Sequence, residues 1–194
     1  MKLGEIAEIG TGLVLTRKKA ESEKETAKIY NVITLRSINN QGYVDRTLFE
    51  IFESREELGD NYISKKGDII IRLSEPNTAI LIGEEDEGLL ISSQFCLIRI
   101  KGNKFLPEYI SWYLNSSYAK KEISKSMIGS TLGIIKTSFL NELEIPKIPM
   151  EKQRIITEIN LLKKIEKALM EKLIEEKNKL YEITIKKIFE GDLK

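Results

Sequence analysis

Between Glu151 and Glu190 the chain runs for forty residues without a proline or a glycine. Strong helix formers fill that stretch, so it predicts one uninterrupted helix. Pro149 suits the start, Glu151 complements the positive end of the helix dipole, Lys186 and Lys187 complement the negative end, and Gly191 is a natural stop. At ~1.5 Å per residue such a helix is roughly 60 Å long, more than a domain of this size needs. Its apolar residues Ile155, Ile159, Leu162, Leu169, Leu173, Leu180 and Ile183 recur at spacings of three and four, broken by Glu166 and Glu176. Ile156, Ile165, Ile174, Ile185 and Ile188 widen the stripe beyond a narrow coiled-coil seam. A compact neighbour cannot cover so long and so wide a stripe. The far half, from about Leu173, is therefore expected to pair with a helix of a second chain, antiparallel so that a two-fold dimer closes.

The residues before this helix have another character, which divides the chain into 1–149 and 150–194. The spacing of Leu3, Ile6, Ala7 and Ile9 predicts a short amphipathic helix closed by Gly10 and Gly12. Strands are predicted at Tyr30 to Leu35, Asp68 to Leu73, Ala79 to Gly83, Leu89 to Ile91 and Gln94 to Ile100, with turns at 39–42 and 84–88. Ser54 to Glu57 has capping-box spacing for a short helix. Pro107 opens a helix through Leu114, and a second covers Tyr118 to Lys125. The expected fold is α+β: a small, curved, mostly antiparallel sheet with short helices, followed by the long helix, which forms an antiparallel coiled coil in a dimer.

Composition narrows the chemistry. There is no histidine, which removes imidazole acid–base catalysis, Ser–His and Cys–His nucleophiles, and most transition-metal sites. The single cysteine, Cys96, lies between Phe95 and Leu97 and reads as a buried small hydrophobe. One cysteine forms no internal disulfide, and no apolar run is long enough to span a bilayer, so a cytoplasmic location is expected with no membrane contact. Glu56-Glu57, Glu84 to Glu87 and Glu175-Glu176 read as solvated acidic faces. There is no Walker-type phosphate loop and no Gly-rich cofactor fingerprint, and Gly10-Thr11-Gly12 reads as a helix terminus. With 31 basic and 30 acidic residues the net charge is +1, so any nucleic-acid face must be a local patch.

Five signatures occur in order: "KLGEIAEIGTG", "KKGDIIIRLSEPNTAILIG", "LISSQFCLIRI", "YISWYLNSS" and "GSTLGIIKTSFLNELEIPKIPMEKQRI". In order, spacing and the proline connector before a long helix, the chain resembles the specificity subunits of type I restriction–modification systems. The connector reads "IPKIPMEKQ" where that family shows a more proline-rich run. Such subunits carry two target-recognition domains and two long helices; one of each is visible here, so the chain looks like a half-subunit.

The resemblance implies a reader of double-stranded DNA that is not itself an enzyme. Two copies would read an interrupted palindrome, modification subunits would bring S-adenosylmethionine and methylate adenine, and a restriction–translocase subunit would join them. The alternative is an interaction or inhibitor protein that binds modification subunits through its long helix without reading DNA. In "GSTLGIIK", Gly129 and Gly133 permit close backbone approach, Ser130 and Thr131 offer hydroxyls and amides, and Lys136 supplies charge. That set suits phosphate oxygens, and equally an ordinary helix cap before Lys136. Base edges need forked donors and acceptors. Arg36, Ser37 and Asn39, Arg72, Ser74 and Asn77, and Ser93 and Gln94 stand on predicted turns beside strands, while Arg17, Lys18 and Lys19 suit phosphates.

Overall fold

Ile69, Ile70 and Ile71 are all fully buried, which in a strand requires cover on both faces. The computed structural model describes residues 1–38, 42, 44–127 and 133–191. The described strands are β1 (Ala7–Thr11), β2 (Lys28–Ile33), β3 (Glu50–Ser54), β4 (Ile69–Arg72), β5 (Ala79–Leu81), β6 (Leu90–Ile91) and β7 (Phe95–Ile100). The helices are α1 (Leu3–Ile6), α2 (Pro107–Asn115), α3 (Ser117–Met127), α4 (Thr137–Glu142) and α5 (Met150–Phe189). Contacts divide the chain into two units, Met1–Gln153 and Arg154–Lys194.

In the first unit the strands form two sheets. One is antiparallel throughout, in the order β1-β7-β4-β5. The other has the order β3-β2-β6, with β2 antiparallel to β3 and parallel to β6. Ile33, Ile91, Ile70, Ile80, Phe95 and Leu97, drawn from both sheets, share one apolar cluster, so the sheets face each other across it. Tyr30, Val32, Phe52 and Leu90 of the smaller sheet join Leu13 and Leu58 in a second cluster. α2 lies against β5, and α4 against α1 and β1.

Several expectations change here. The predicted helix at Leu3 to Ile9 ends at Ile6, because Ala7 to Thr11 pairs with Ile100 to Cys96; ladder hydrogen bonds override the local apolar spacing. Ser54 does not cap a helix: it ends β3, buried, with its hydroxyl donating to the Glu56 carbonyl at 2.7 Å. Glu50–Ser54, unpredicted from sequence, is the strand that completes the smaller sheet. Gly12 terminates no helix. It follows β1 where the backbone crosses the start of the next turn, and a Cβ there would sit 2.3 Å from the Ser92 carbonyl oxygen and 2.4 Å from that of Ile91.

The two ends of this unit are tied together. The Met1 and Leu3 backbone pairs with Ile145 and Leu143, and the Tyr109 hydroxyl donates to the Pro146 carbonyl at 3.0 Å. Gln153, 1% exposed, anchors the first turn of α5. Its amide donates to the carbonyls of Lys104 and Ile148, and its oxygen accepts from the Leu106 N–H. A buried polar side chain satisfied on both its donor and acceptor sides fixes this register.

The second unit is the body of α5. Its seven predicted seam residues, Ile155 to Ile183, are all exposed in the single chain, Leu173 at 55%. Glu175 and Glu176 both pair with Lys179 along the helix. Among the described residues, no helix is long and apolar enough to cross a membrane.

Candidate nucleic-acid interface

Strand direction decides which polar residues meet. β1, β2, β4 and β6 all end where β3, β5 and β7 begin, since Thr11 pairs with Cys96, Ile33 with Ile91, and Arg72 with Phe95. This common end carries the turns after β2, β4 and β6, and the segment before α4 joins it. Ile134 bridges to Ser74, and the Ile135 N–H donates to the Leu73 carbonyl at 2.9 Å. Leu13 bridges to Ser92, whose hydroxyl reaches the Ile33 carbonyl at 3.3 Å. Arg36, Arg72, Ser74, Ser93, Gln94, Gly133 and Lys136, far apart in sequence, therefore share one end of the sheets.

Their presentation differs. Arg36, Gln94, Gly133 and Lys136 are exposed, and Arg72, Ser74 and Ser93 are half-buried. The Arg72 Nε donates to the Ser74 hydroxyl at 3.1 Å, which among the described residues leaves its two terminal nitrogens as a fork. Lys136 occupies the position before the first turn of α4, where a cation opposes the helix dipole; helix stability does not account for it.

Two sequence candidates are corrected by burial. Ser37 is 0% exposed, and its hydroxyl serves the Leu48 carbonyl and the Thr34 N–H, holding the short turn that carries Arg36 outward. Asn77 is 3% exposed, with its amide donating to the carbonyls of Arg72 and Leu73. Both build the turns and offer nothing at the surface. Arg17, Lys18 and Lys19 are not brought to this end: Lys19 bridges to Ser54, at the opposite end of the β2–β3 ribbon, and Lys18 pairs with Glu56 at 2.6 Å. Asn39, Gly129, Ser130 and Thr131 lie outside the described residues.

The charge pattern separates the two ends. At the opposite end, where β4 begins and β7 finishes, four cations have acidic partners, whereas among the described residues Lys19, at the far end of the β2–β3 ribbon, and Lys104, after β7, have none. Lys65 pairs with Asp60, Lys66 with Glu84, Arg99 with Asp68, and Lys101 with Glu8. Asp68 is buried and binds both Nε and Nη2 of Arg99, at 2.8 and 2.7 Å. At the shared end, among the described residues, Arg36, Arg72 and Lys136 have no carboxylate partner, although Glu50 and Glu75 stand on neighbouring positions. Unpaired forked donors beside an exposed amide are the groups that bases and phosphates accept.

Sequence reasoning missed two residues here. Asn115 ends α2 and brackets Ala79, accepting from its N–H at 3.0 Å and donating to its carbonyl at 2.7 Å. Lys120 reaches from α3 to the turn after β4. Its signal was readable: it lies three residues before buried Ile123, on the helix face that turns inward. Burial pushes the Cys96 thiol up to about 12, so it is no nucleophile near neutral pH. Among the described residues, no group of three or more histidine, cysteine, aspartate or glutamate side chains is placed to hold a metal ion.

The arrangement is that of an α+β domain with one cation-bearing end of its sheets, leading into a forty-residue helix. A family model for the type I restriction modification DNA specificity domain matches residues 1–179, and the chain belongs to that family. The family is that of the specificity part of these systems, not of a catalytic subunit.

The specificity subunit of the type I restriction enzyme MjaVIII from Methanocaldococcus jannaschii is 31% identical over 101 residues, covering 50% of this chain and 24% of that protein. Among solved structures, the HsdS subunit from Thermoanaerobacter tengcongensis is similar with a TM-score of 0.63 at 18% identity, over 87% of this chain and 43% of that one. The S subunit from M. genitalium has a TM-score of 0.54 at 14% identity, over 88% and 40%. A chain solved to explain complex assembly and conformational transition of the type I R-M system has a TM-score of 0.67 at 18% identity, over 87% and 43%. At these identities the solved chains speak for the fold. The chain spans less than half the length of each of these relatives.

Proposed function

We propose that this chain reads one half of a split DNA site with the shared end of its sheets and that two copies, joined through α5, recognise an interrupted palindrome. The observation that carries the reading is the contrast in charge between the two ends. Lys65, Lys66, Arg99 and Lys101 at one end are consumed by acidic partners, while among the described residues Arg36, Arg72 and Lys136 at the other have none. Such a patch suits DNA even on a chain of net charge +1. Arg36 and Arg72 supply forks for guanine, Gln94 suits adenine, and Lys136 and the backbone at Gly133 suit phosphate.

The long helix completes the reading. Its exposed apolar stripe, from Ile155 to Ile183, supports pairing with the same helix of a second copy, which sets the gap between half-sites. Two-fold symmetry in the protein is then mirrored in the DNA. Modification subunits, docked on the assembly in the cytoplasm, bring S-adenosylmethionine and methylate adenine; a restriction–translocase subunit adds cleavage. The purified chain alone transfers no methyl group.

Methylation-site mapping in cells where this chain is the sole specificity protein tests the reading. An interrupted palindrome carrying methyladenine is the expected result, and a non-palindromic target contradicts pairing of identical readers. The near-neutral charge favours a second reading, an interaction protein that holds modification subunits through α5. Capture of those subunits by an assembly with no sequence preference for DNA would establish it instead.

A further inference from the structure

The turn that follows β4 is held from behind by two helices. Asn77 adopts a left-handed backbone with φ of 53°, a conformation asparagine tolerates at modest cost. Its N–H donates to the Ser74 carbonyl at 3.0 Å, and its side chain closes the turn on Leu73. Asn115 from α2 clasps both backbone groups of Ala79. Lys120 from α3 donates its Nζ to the Pro76 carbonyl at 2.7 Å and also to that of Asn77. Among the described residues no carboxylate pairs with this ammonium, and burial pushes it down to about 8.

A lysine in that position has an unusual task. Pro76 stands on an exposed position where water can satisfy its carbonyl, whereas Asn77 is 3% exposed, and taking the ammonium partly out of water is costly. What the contact supplies is geometry: two carbonyls of one turn are fixed to a helix. The same turn carries Ser74, which holds the Arg72 Nε, and pairs with Ile134 in the segment leading to Lys136. Moving the turn would re-aim the Arg72 fork, and a base contact tolerates little re-aiming.

We propose that Lys120 is a positioning residue for base reading: from α3 it clamps the turn Ser74–Thr78, so that Arg72 and Ser74 meet DNA at a fixed angle while Lys120 itself touches no DNA. This rests on the DNA-reading assignment made above. A phosphate-binding lysine and a clamping lysine differ in salt dependence, because only the first releases counterions from DNA.

The test selects bound duplexes from a random-sequence pool with the full chain and its Lys120→Met and Lys120→Arg variants, then measures affinity against salt on the best site. Lys120→Met should lower discrimination against single-base changes by about tenfold at the positions read from the turn. Its log affinity against log salt slope should match the wild type, and Lys120→Arg should keep the wild-type motif. Discrimination unchanged in Lys120→Met, or a slope shallower by about one, overturns the clamp while leaving DNA reading intact. A wild-type chain that enriches no sequence overturns the reading and the clamp together. Should Lys120→Met unfold, Lys120→Gln, too short to span both carbonyls, gives the same comparison.

Discussion

Gly12 shows how a single missing Cβ governs this fold. Its N–H donates to the Phe95 carbonyl at 3.0 Å, and the next residue, Leu13, donates to Ile91 and accepts from Ser93. The chain after β1 is thus wedged between the end of β6 and the start of β7, against backbone oxygens that cannot step aside. Replacing Gly12 by alanine should cost about 2 kcal/mol, read as a lower urea midpoint; an unchanged midpoint would contradict the close crossing. The sequence showed Gly10-Thr11-Gly12 only as punctuation, because a steric need for glycine comes from atoms eighty residues away. The same limit applied to Ser37 and Asn77. Both have the side-chain types that contact bases, and only burial reveals that they hold turns. Arg36, Arg72 and Gln94 were legible as polar residues beside strands and Lys136 as a charge before a helix, yet not as neighbours of one another.

At the scale of elements, periodicity was informative wherever one periodic signal dominated. α5 spans Met150–Phe189 against an expectation of Glu151 to Glu190, since no breaker and no competing strand partner intervenes. β4, β5 and β7 fell within their predicted ranges for the same reason. β3, "EIFES", escaped notice because only Phe52 and Ser54 of its side chains are buried, too short an alternation to stand out. α1 was overextended because Ala7 and Ile9 fit a helix and a strand equally well, and pairing with β7 decided between them. The apolar stripe of α5 gives the sharpest mutational test at this scale. Leu173→Asp places a charge at the centre of the proposed seam, where desolvating it unpaired costs several kcal/mol. The variant should therefore sediment as single chains at concentrations where the wild type pairs, with the Met1–Gln153 unit still folded. A variant that remains paired would rule out a seam through Leu173.

For the whole molecule, the two units answer different questions. Met1–Gln153 brings scattered polar residues to one end of two facing sheets, which is what a base-reading surface needs. Arg154–Lys194 exposes Leu162, Leu169, Leu173 and Leu180 along a single helix, and water is a poor neighbour for so much aligned apolar surface. The proposed pairing of two chains would cover that surface and hold the two proposed readers at a set distance, which would link the burial of the stripe to the spacing of a split site. The mass of the purified chain in solution, followed by light scattering across a concentration series, tests this most directly. The account predicts a particle of twice the 22.3 kDa of one chain that falls apart only on strong dilution; a particle of single-chain mass throughout the series would contradict it.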